Sequence, residues 1–225
     1  MKTKMNTPIR ITGSIAILLL ATAALPAADQ MTRLDALSGS KMRIEGSSAI
    51  HDWQVESSII GGFLEVGPNF PTQPGQTVNP GKVEAQGQAF VTVRSLKSVK
   101  ADGSHYEDKM DDKMYEMFKQ VDHPRLVYHL TELTLKEMPK DKTAPYVFDS
   151  KGDLAVAGVT NKLSMPVSVF VLGENKVKIT GSAPLKMSDF SIPPASIIFV
   201  KTSDDVSIKF EWMVGQKKPA AAASK

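Results

Sequence analysis

The sequence contains no cysteine. That excludes disulfide staples, thiolate metal ligation and thiol catalysis, so an apolar core must hold the fold. Charge of one sign is also missing where it would matter. The net charge of +3 is carried by Lys2, Lys4 and Arg10, the only charged residues before Asp29, and beyond them 24 basic residues face 24 acidic ones. A formally neutral domain has no electrostatic footprint for nucleic acid, and that class of partner is not expected. Histidine is scarce: His51, His105, His123 and His129 contain no H-x-H or H-x-x-x-H pair, so no sequence-local metal site is expected. No G-x-S-x-G, P-loop or dinucleotide fingerprint occurs either, and an enzyme is not expected. His51-Asp52 would be an acid–base pair only if both side chains shared a face, and neighbours on a strand do not. The acids of DKMDDKM, Asp108, Asp111 and Asp112, lack the glycine and spacing of a calcium loop. On a helix they read, with Lys109 and Lys113, as a solvated face.

A uniform membrane-spanning run is absent as well. The uncharged stretch from Ile11 to Ala28 is broken by Gly, Ser, Thr and Pro, so no stable membrane anchor is expected. Its basic lead, its short apolar centre at Ile15–Leu20 and the small residues near Ala23 and Ala27 predict a secretory signal peptide over 1–27. The mature chain is then expected in the periplasm or outside the cell.

What the remainder has in abundance is period-2 alternation. Val206, Ile208, Phe210, Trp212 and Val214 share one face, as do Val177, Ile179, Gly181, Ala183, Leu185 and Met187. Leu163, Met165, Val167, Val169 and Val171 form a third apolar face, and Val83, Ala85, Gly87, Ala89, Val91 and Val93 a fourth. Segments 42–57, 59–66, 125–136 and 145–158 read as further strands. About eight strands, each with one apolar and one wet face, predict an antiparallel barrel or sandwich. Pro166 sits on the wet face of its strand, which places residues 163–169 at a frayed or bulged part of the sheet, where a missing N–H protects an edge. One segment breaks the period. In Ser104–Gln120, Tyr106, Met110, Met114, Met117 and Phe118 make a helical stripe, opened by a Ser104/Glu107 capping box and stopped by Pro124. Residues 67–81 form a Gly/Pro-rich loop, and 215–225 a disordered tail.

Four stretches in order give the chain a family likeness. GDLAVAGVTNKLSMPVSV (152–169) is similar to a strand–turn–strand motif through Gly158, Val159, Thr160 and Lys162. MYEMFKQVDHPRLVYHL (114–130) supplies His123-Pro124, APLKMSDFSI (183–192) supplies Asp189-Phe190, and DDVSIKFEW (204–212) matches the terminal strand. Over residues 40–214 the chain resembles the YceI-like periplasmic proteins. It departs from them at His51-Asp52-Trp53, where a His-Ser pair is usual, and in the length of the 67–81 loop. The resemblance implies an all-β fold: an eight-stranded antiparallel lipocalin-like barrel with one amphipathic helix packed on or over it. It also implies non-enzymatic binding of an isoprenoid lipid or quinone in the barrel, with no other cofactor and no metal. The lining would then comprise Ala85, Gly87, Ala89, Val91, Met165, Val167, Val169, Ile179, Gly181, Ala183, Phe210 and Trp212, with small residues leaving room for a chain. Met110, Met114, Met117 and Phe118 would be core packing, a pliable lid, or both. The alternative is a filled barrel, a stress-related or structural protein presenting loop 67–81 or the helix to a protein partner. A homodimer is compatible with either.

Overall fold

The computed structural model describes residues 30–194, 196–197 and 200–217. The expected signal peptide and residues 218–225 of the expected tail lie outside the described residues, while Gly215, its first residue, ends the last strand.

The strands are β1 (Thr32–Ala36), β2 (Lys41–Ser48), β3 (Asp52–Ser57), β4 (Gly61–Val66), β5 (Gly81–Val83), β6 (Ala85–Thr92), β7 (Lys97–Val99), β8 (Arg125–Glu137), β9 (Tyr146–Val156), β10 (Val159–Gly173), β11 (Lys176–Lys186), β12 (Ser196–Ile197) and β13 (Val200–Gly215). The helix α1 spans Asp108–Met117, between β7 and β8. Neighbours pair in the order β1-β4-β6-β8-β9-β10-β11-β13, and β13 returns to β1 through Asp35↔Gly215 and Ala36↔Val214. Every pairing is antiparallel, so eight strands close a barrel. Towards one end, β2, β3 and β7 carry on the courses of β1, β4 and β6, with β2 against β13 and β3 between β2 and β7. The barrel wall is therefore built of long strands kinked part-way, and the alternating faces turn inward as expected.

Two boundaries differ from the sequence reading. Segment 42–57 is a hairpin: the Ser48 hydroxyl donates to the His51 carbonyl and accepts from the His51 N–H, closing a tight turn inside a continuous polar–apolar pattern. Strand β1 was not expected, because its single fully buried side chain, Leu34, leaves no alternation to read.

The end of the barrel away from α1 has a floor. Loop 67–81 folds inward there, burying Phe70, Pro71 and Val78. Phe70 stacks on Phe148 with ring centroids 5.8 Å apart, and the Tyr146 hydroxyl donates to the Gln76 carbonyl. The loop thus seals the core with its apolar side chains while Pro68, Asn69 and Gln73–Gly75 stay exposed.

The other end is open, and Pro166 marks the reason. On its β9 side, β10 is paired without a break from Val159 to Val169. On its β11 side the ladder runs only from Gly173↔Lys176 to Val167↔Gly181. Beyond that rung β11 stays with β13 as far as Lys186↔Asp205, while Val159–Pro166 diverges from it. Pro166 is the first residue past the last rung, and Pro184 lies on the opposite lip. Residues without an N–H flank a wall that has no ladder to complete, so the expected frayed region is present and the lip resists pairing with another strand.

Candidate functional site

Inside the closed part of the barrel lies a chamber of about 130 Å³. Of the twelve expected lining residues, Gly87, Ala89, Val91, Met165, Val167, Val169, Ile179, Ala183, Phe210 and Trp212 do line it. Ala85 is half-buried outside it, and Gly181 is covered. A Cβ placed on Gly181 would come within 2.8 Å of the Phe210 ring, and one on Gly87 within 2.6 Å of the Phe63 carbonyl. These glycines do not open the lumen, as the sequence suggested. They admit a cross-strand ring and a close strand, and the free space lies deeper, among Met42, Leu64, Leu133 and Met165.

A much larger space adjoins the chamber. A groove of about 980 Å³ occupies the mouth, and Leu126 and Ile208 line both volumes. Its walls are Trp53 and Val55 of β3, Pro184 and Leu185 of β11, Val206 and Ile208 of β13, and Phe190 and Ile192 beyond β11. The roof is α1 with the residues on either side of it: Tyr106, Met110, Met114, Met117 and Phe118 all line the groove. Met114, Met117 and Phe118 are half-buried against the core and Met110 is 39% exposed, so the stripe both packs and roofs. Flexible thioether side chains adapt to irregular apolar surroundings.

What holds the roof is a cluster the sequence concealed. Asp111 was read as solvated, but it is 1% exposed. It accepts the Ser98 N–H at 2.7 Å and faces Lys97 Nζ and His105 Nε2, each at 3.0 Å. One turn on, the Tyr115 hydroxyl donates to the Leu96 carbonyl at 3.0 Å. Burial alone would raise the Asp111 carboxyl, but the Ser98, Lys97 and His105 contacts outweigh it and hold the group below the usual carboxylate range. Asp111 and Tyr115, four residues apart, thus share the face clamped to residues 94–98, leaving the methionine face to the groove. The expected capping box is absent: Ser104 donates instead to Asp102, and Glu107 stands at the N-cap without a side-chain bond.

His105, Asp108 and Asp111 bring ligand atoms within 4.8 Å of one another, the only such group among the described residues. Lys97 and the Ser98 N–H already occupy the two Asp111 oxygens, which makes the group a clamp. His51 Nδ1 meets the Asp52 backbone carbonyl at 2.9 Å and no carboxylate, so no acid–base pair forms there.

Polar side chains are few in the chamber, whereas the groove lining also includes charged residues, among them Glu45, Asp52, Lys100, Lys113, Lys186 and Asp205. Tyr128 and Ser150 hydrogen-bond to each other at 2.8 Å within the chamber lining, and burial raises the Tyr128 hydroxyl above its ordinary range. Sequence reading missed both, because a lone serine and tyrosine in alternating strands carry no local signal. The buried indole nitrogens of Trp53 and Trp212 have no hydrogen-bond partner among the described residues.

A closed eight-stranded barrel with an apolar chamber and a roofed mouth can now be set beside known proteins. The family model described as the YceI-like domain matches residues 39–214. The chain belongs to the YceI-like family. The chain matches no curated protein sequence. Among solved structures, BcnA of Burkholderia cenocepacia is similar at a TM-score of 0.57 and 16% identity, covering 79% of this chain and 96% of BcnA. A polyisoprenoid binding domain from Saccharophagus degradans is similar at a TM-score of 0.56 and 12% identity, covering 83% of this chain and 99% of that domain. At such identities the likeness speaks for the shared barrel.

The motifs that carry the YceI-like resemblance converge on the mouth. Ala157 and Gly158, with φ of 50° and 87°, make the two-residue turn from β9 to β10, and the His123 ring packs so closely that a Cβ on Gly158 would fall 2.5 Å from it. Asn161 Nδ2 donates to the Asp189 carbonyl at 2.6 Å, tying β10 across the gap to the segment that buries Phe190. Ser188, at the start of that segment, donates its hydroxyl to Asp204. The motifs therefore frame the opening between β10 and β11.

Proposed function

We propose that this protein is a non-enzymatic carrier that sequesters one long, slender isoprenoid lipid, a quinone or a polyprenyl chain, and does so after export to the periplasm. The single observation that supports this most is an apolar chamber inside a closed barrel with a much larger, mainly apolar groove beside it at the mouth, the two sharing Leu126 and Ile208 in their linings. The groove of about 980 Å³ is several times larger than the chamber of about 130 Å³, so most of a slender chain lies in the groove and one end of it in the chamber. Burying ten methylenes at ~0.8 kcal/mol each gives about 8 kcal/mol gross, from which ordering of the chain subtracts. That gross figure alone corresponds to a Kd of about 1 μM, so ten methylenes fall short of micromolar binding and a longer buried chain is needed to reach it. The relative from Saccharophagus degradans, named as polyisoprenoid binding, supports the ligand class. Among the described residues no helix is long and apolar enough to cross a membrane.

The test is native mass spectrometry of protein purified from its own host, with solvent extraction of the same sample. A stoichiometric lipid adduct that extracts as an isoprenoid is expected. Apo mass alone, with no lipid in the extract and no uptake of added isoprenoid, would count against the carrier reading.

A further inference from the structure

The parts that enclose the two cavities differ in how firmly they are held. The floor is sealed by the Phe70–Phe148 stack and the Tyr146 hydroxyl, and the roof is clamped through Asp111 and Tyr115. The slot between β10 and β11 is held differently. Past the rung Val167↔Gly181, Val159–Pro166 and Ser182–Lys186 share no ladder, so parting them there breaks no rung. At roughly 3.3 Å per residue, Ser182–Lys186 makes a lip roughly 17 Å long. Side chains of both lips reach the cavities: Leu163, Met165 and Ala183 line the chamber, and Leu185 lines the groove. Met187–Ile192 spans this slot as a short coil that satisfies its own backbone. The Phe190 and Ile192 N–H groups both donate to the Met187 carbonyl, at 3.0 and 3.1 Å. Its buried Met187, Phe190 and Ile192 line the groove. The two attachments of the coil are unequal. At its root the Met187 N–H donates to the Asp204 carbonyl at 2.9 Å, and the Ser188 N–H and hydroxyl donate to the Asp204 carboxylate at 2.8 and 2.6 Å. Across the slot, among the described residues, one hydrogen bond ties it to β10, from Asn161 Nδ2 to the Asp189 carbonyl. That bond is exposed, so water can replace it at small net cost.

We infer that the slot is the port through which the apolar ligand enters and leaves, and that Met187–Ile192 is its strap, hinged on Asp204 and latched by Asn161. This rests on the carrier reading above and adds the route. Release of the latch lets the strap carry Phe190 and Ile192 away from β10 while the ladders, the floor and the roof clamp stay intact. A slender chain then passes sideways into both cavities and need not be threaded beneath the clamped α1. The latch bond is made by protein atoms alone and holds the strap shut whether the cavities are filled or empty. It therefore sets the rates of loading and release together and leaves the affinity nearly unchanged.

The experiment follows tryptophan fluorescence in a stopped-flow instrument, since Trp53 lines the groove and Trp212 the chamber. The full mature chain takes up geranylgeranylacetone, a neutral isoprenoid ketone, and then releases it to excess phosphatidylcholine vesicles. In Asn161→Ala both rates should rise roughly three- to tenfold while the Kd stays within about twofold. The converse variant carries Asn161→Cys with Asp189→Cys, the only two thiols in a chain that otherwise has none. Bridged by a bis-methanethiosulfonate, it should load roughly tenfold more slowly or not at all, and reduction should restore the rate. Because the bridged form is compared with its own reduced form, a folding defect in the variant does not imitate the result. Bridged protein that loads as fast as its reduced form would overturn the port, since the probe then enters elsewhere. An Asn161→Ala chain with a faster release, an unchanged loading rate and a Kd weakened to match would overturn the latch, because Asn161 would then stabilise only the filled state. If the unsubstituted protein takes up no geranylgeranylacetone, the carrier reading fails first and the port with it.

Discussion

Filling the chamber separates packing from binding, because the two respond with opposite signs. Ala183 is 3% exposed and lines the chamber from β11. Ala183→Leu adds roughly 90 Å³ of side chain at a share of roughly 30 Å³ per heavy atom, most of the chamber's volume of about 130 Å³. If the chamber is an unfilled space, the added carbons gain up to ~0.8 kcal/mol each, offset by whatever rotamer strain the tight wall imposes. The net change in stability should lie between about zero and 2 kcal/mol in the stabilising direction. The same carbons displace the end of the ligand, which forfeits about 2.4 kcal/mol of burial and weakens binding about fiftyfold. Urea melts give the first number, and titration with geranylgeranylacetone gives the second. A variant destabilised by more than about 2 kcal/mol would mean the interior is already packed to native density. Unchanged affinity in a stable variant would mean that no part of the ligand reaches the chamber.

Asp111→Asn should loosen the roof: losing charge-assisted bonds to Ser98, Lys97 and His105 costs about 1–3 kcal/mol, at the lower end because Lys97 and His105 are partly exposed. Hydrogen exchange over 108–117 should rise in that variant while the barrel strands stay protected. Because the Asp111 carboxyl is lowered in the folded state, its contribution is complete above the unfolded carboxylate value of about pH 4 and is lost as pH falls through the folded one. The helix should therefore become more exchangeable on acidification below about pH 4 in the unsubstituted protein, and an acid response of the same size in Asp111→Asn would contradict this assignment. Phe70→Ala should cost about 3–5 kcal/mol by opening the floor beside Phe148, seen as a lower midpoint in denaturant. Pro166→Val should leave stability within about 0.5 kcal/mol but raise self-association in light scattering, since the lip regains a strand donor next to an unfilled gap.

The barrel was legible because alternation is written into nearly every long strand: Val206 to Val214 and Val177 to Met187 place one face inward without reference to anything else. Pro166 was legible for the same reason, as a residue that a fully paired strand would not carry. Strand β1 was not, since it owes its place to closure with β13 and β4 and its five residues include a single fully buried side chain, Leu34. The methionine stripe was readable as a face, yet its neighbour Asp111 was not, because burial of a carboxylate depends on Lys97, Ser98 and His105 arriving from outside the helix. The glycines misled for a related reason. Small residues on an inward face say that something comes close, and only the paired strands reveal that Phe210 fills the place beside Gly181. Tyr128 and Ser150 meet across β8 and β9, a juxtaposition no single segment encodes.

The most direct test is a crystal structure of the protein purified from its native host with its lipid retained. Unbroken elongated density should run from beneath Met110, Met114 and Met117, past Leu126 and Ile208, and end in the chamber among Val167, Ala183 and Phe210. A mouth groove filled by α1 itself, above a chamber holding only protein side chains, would contradict the account.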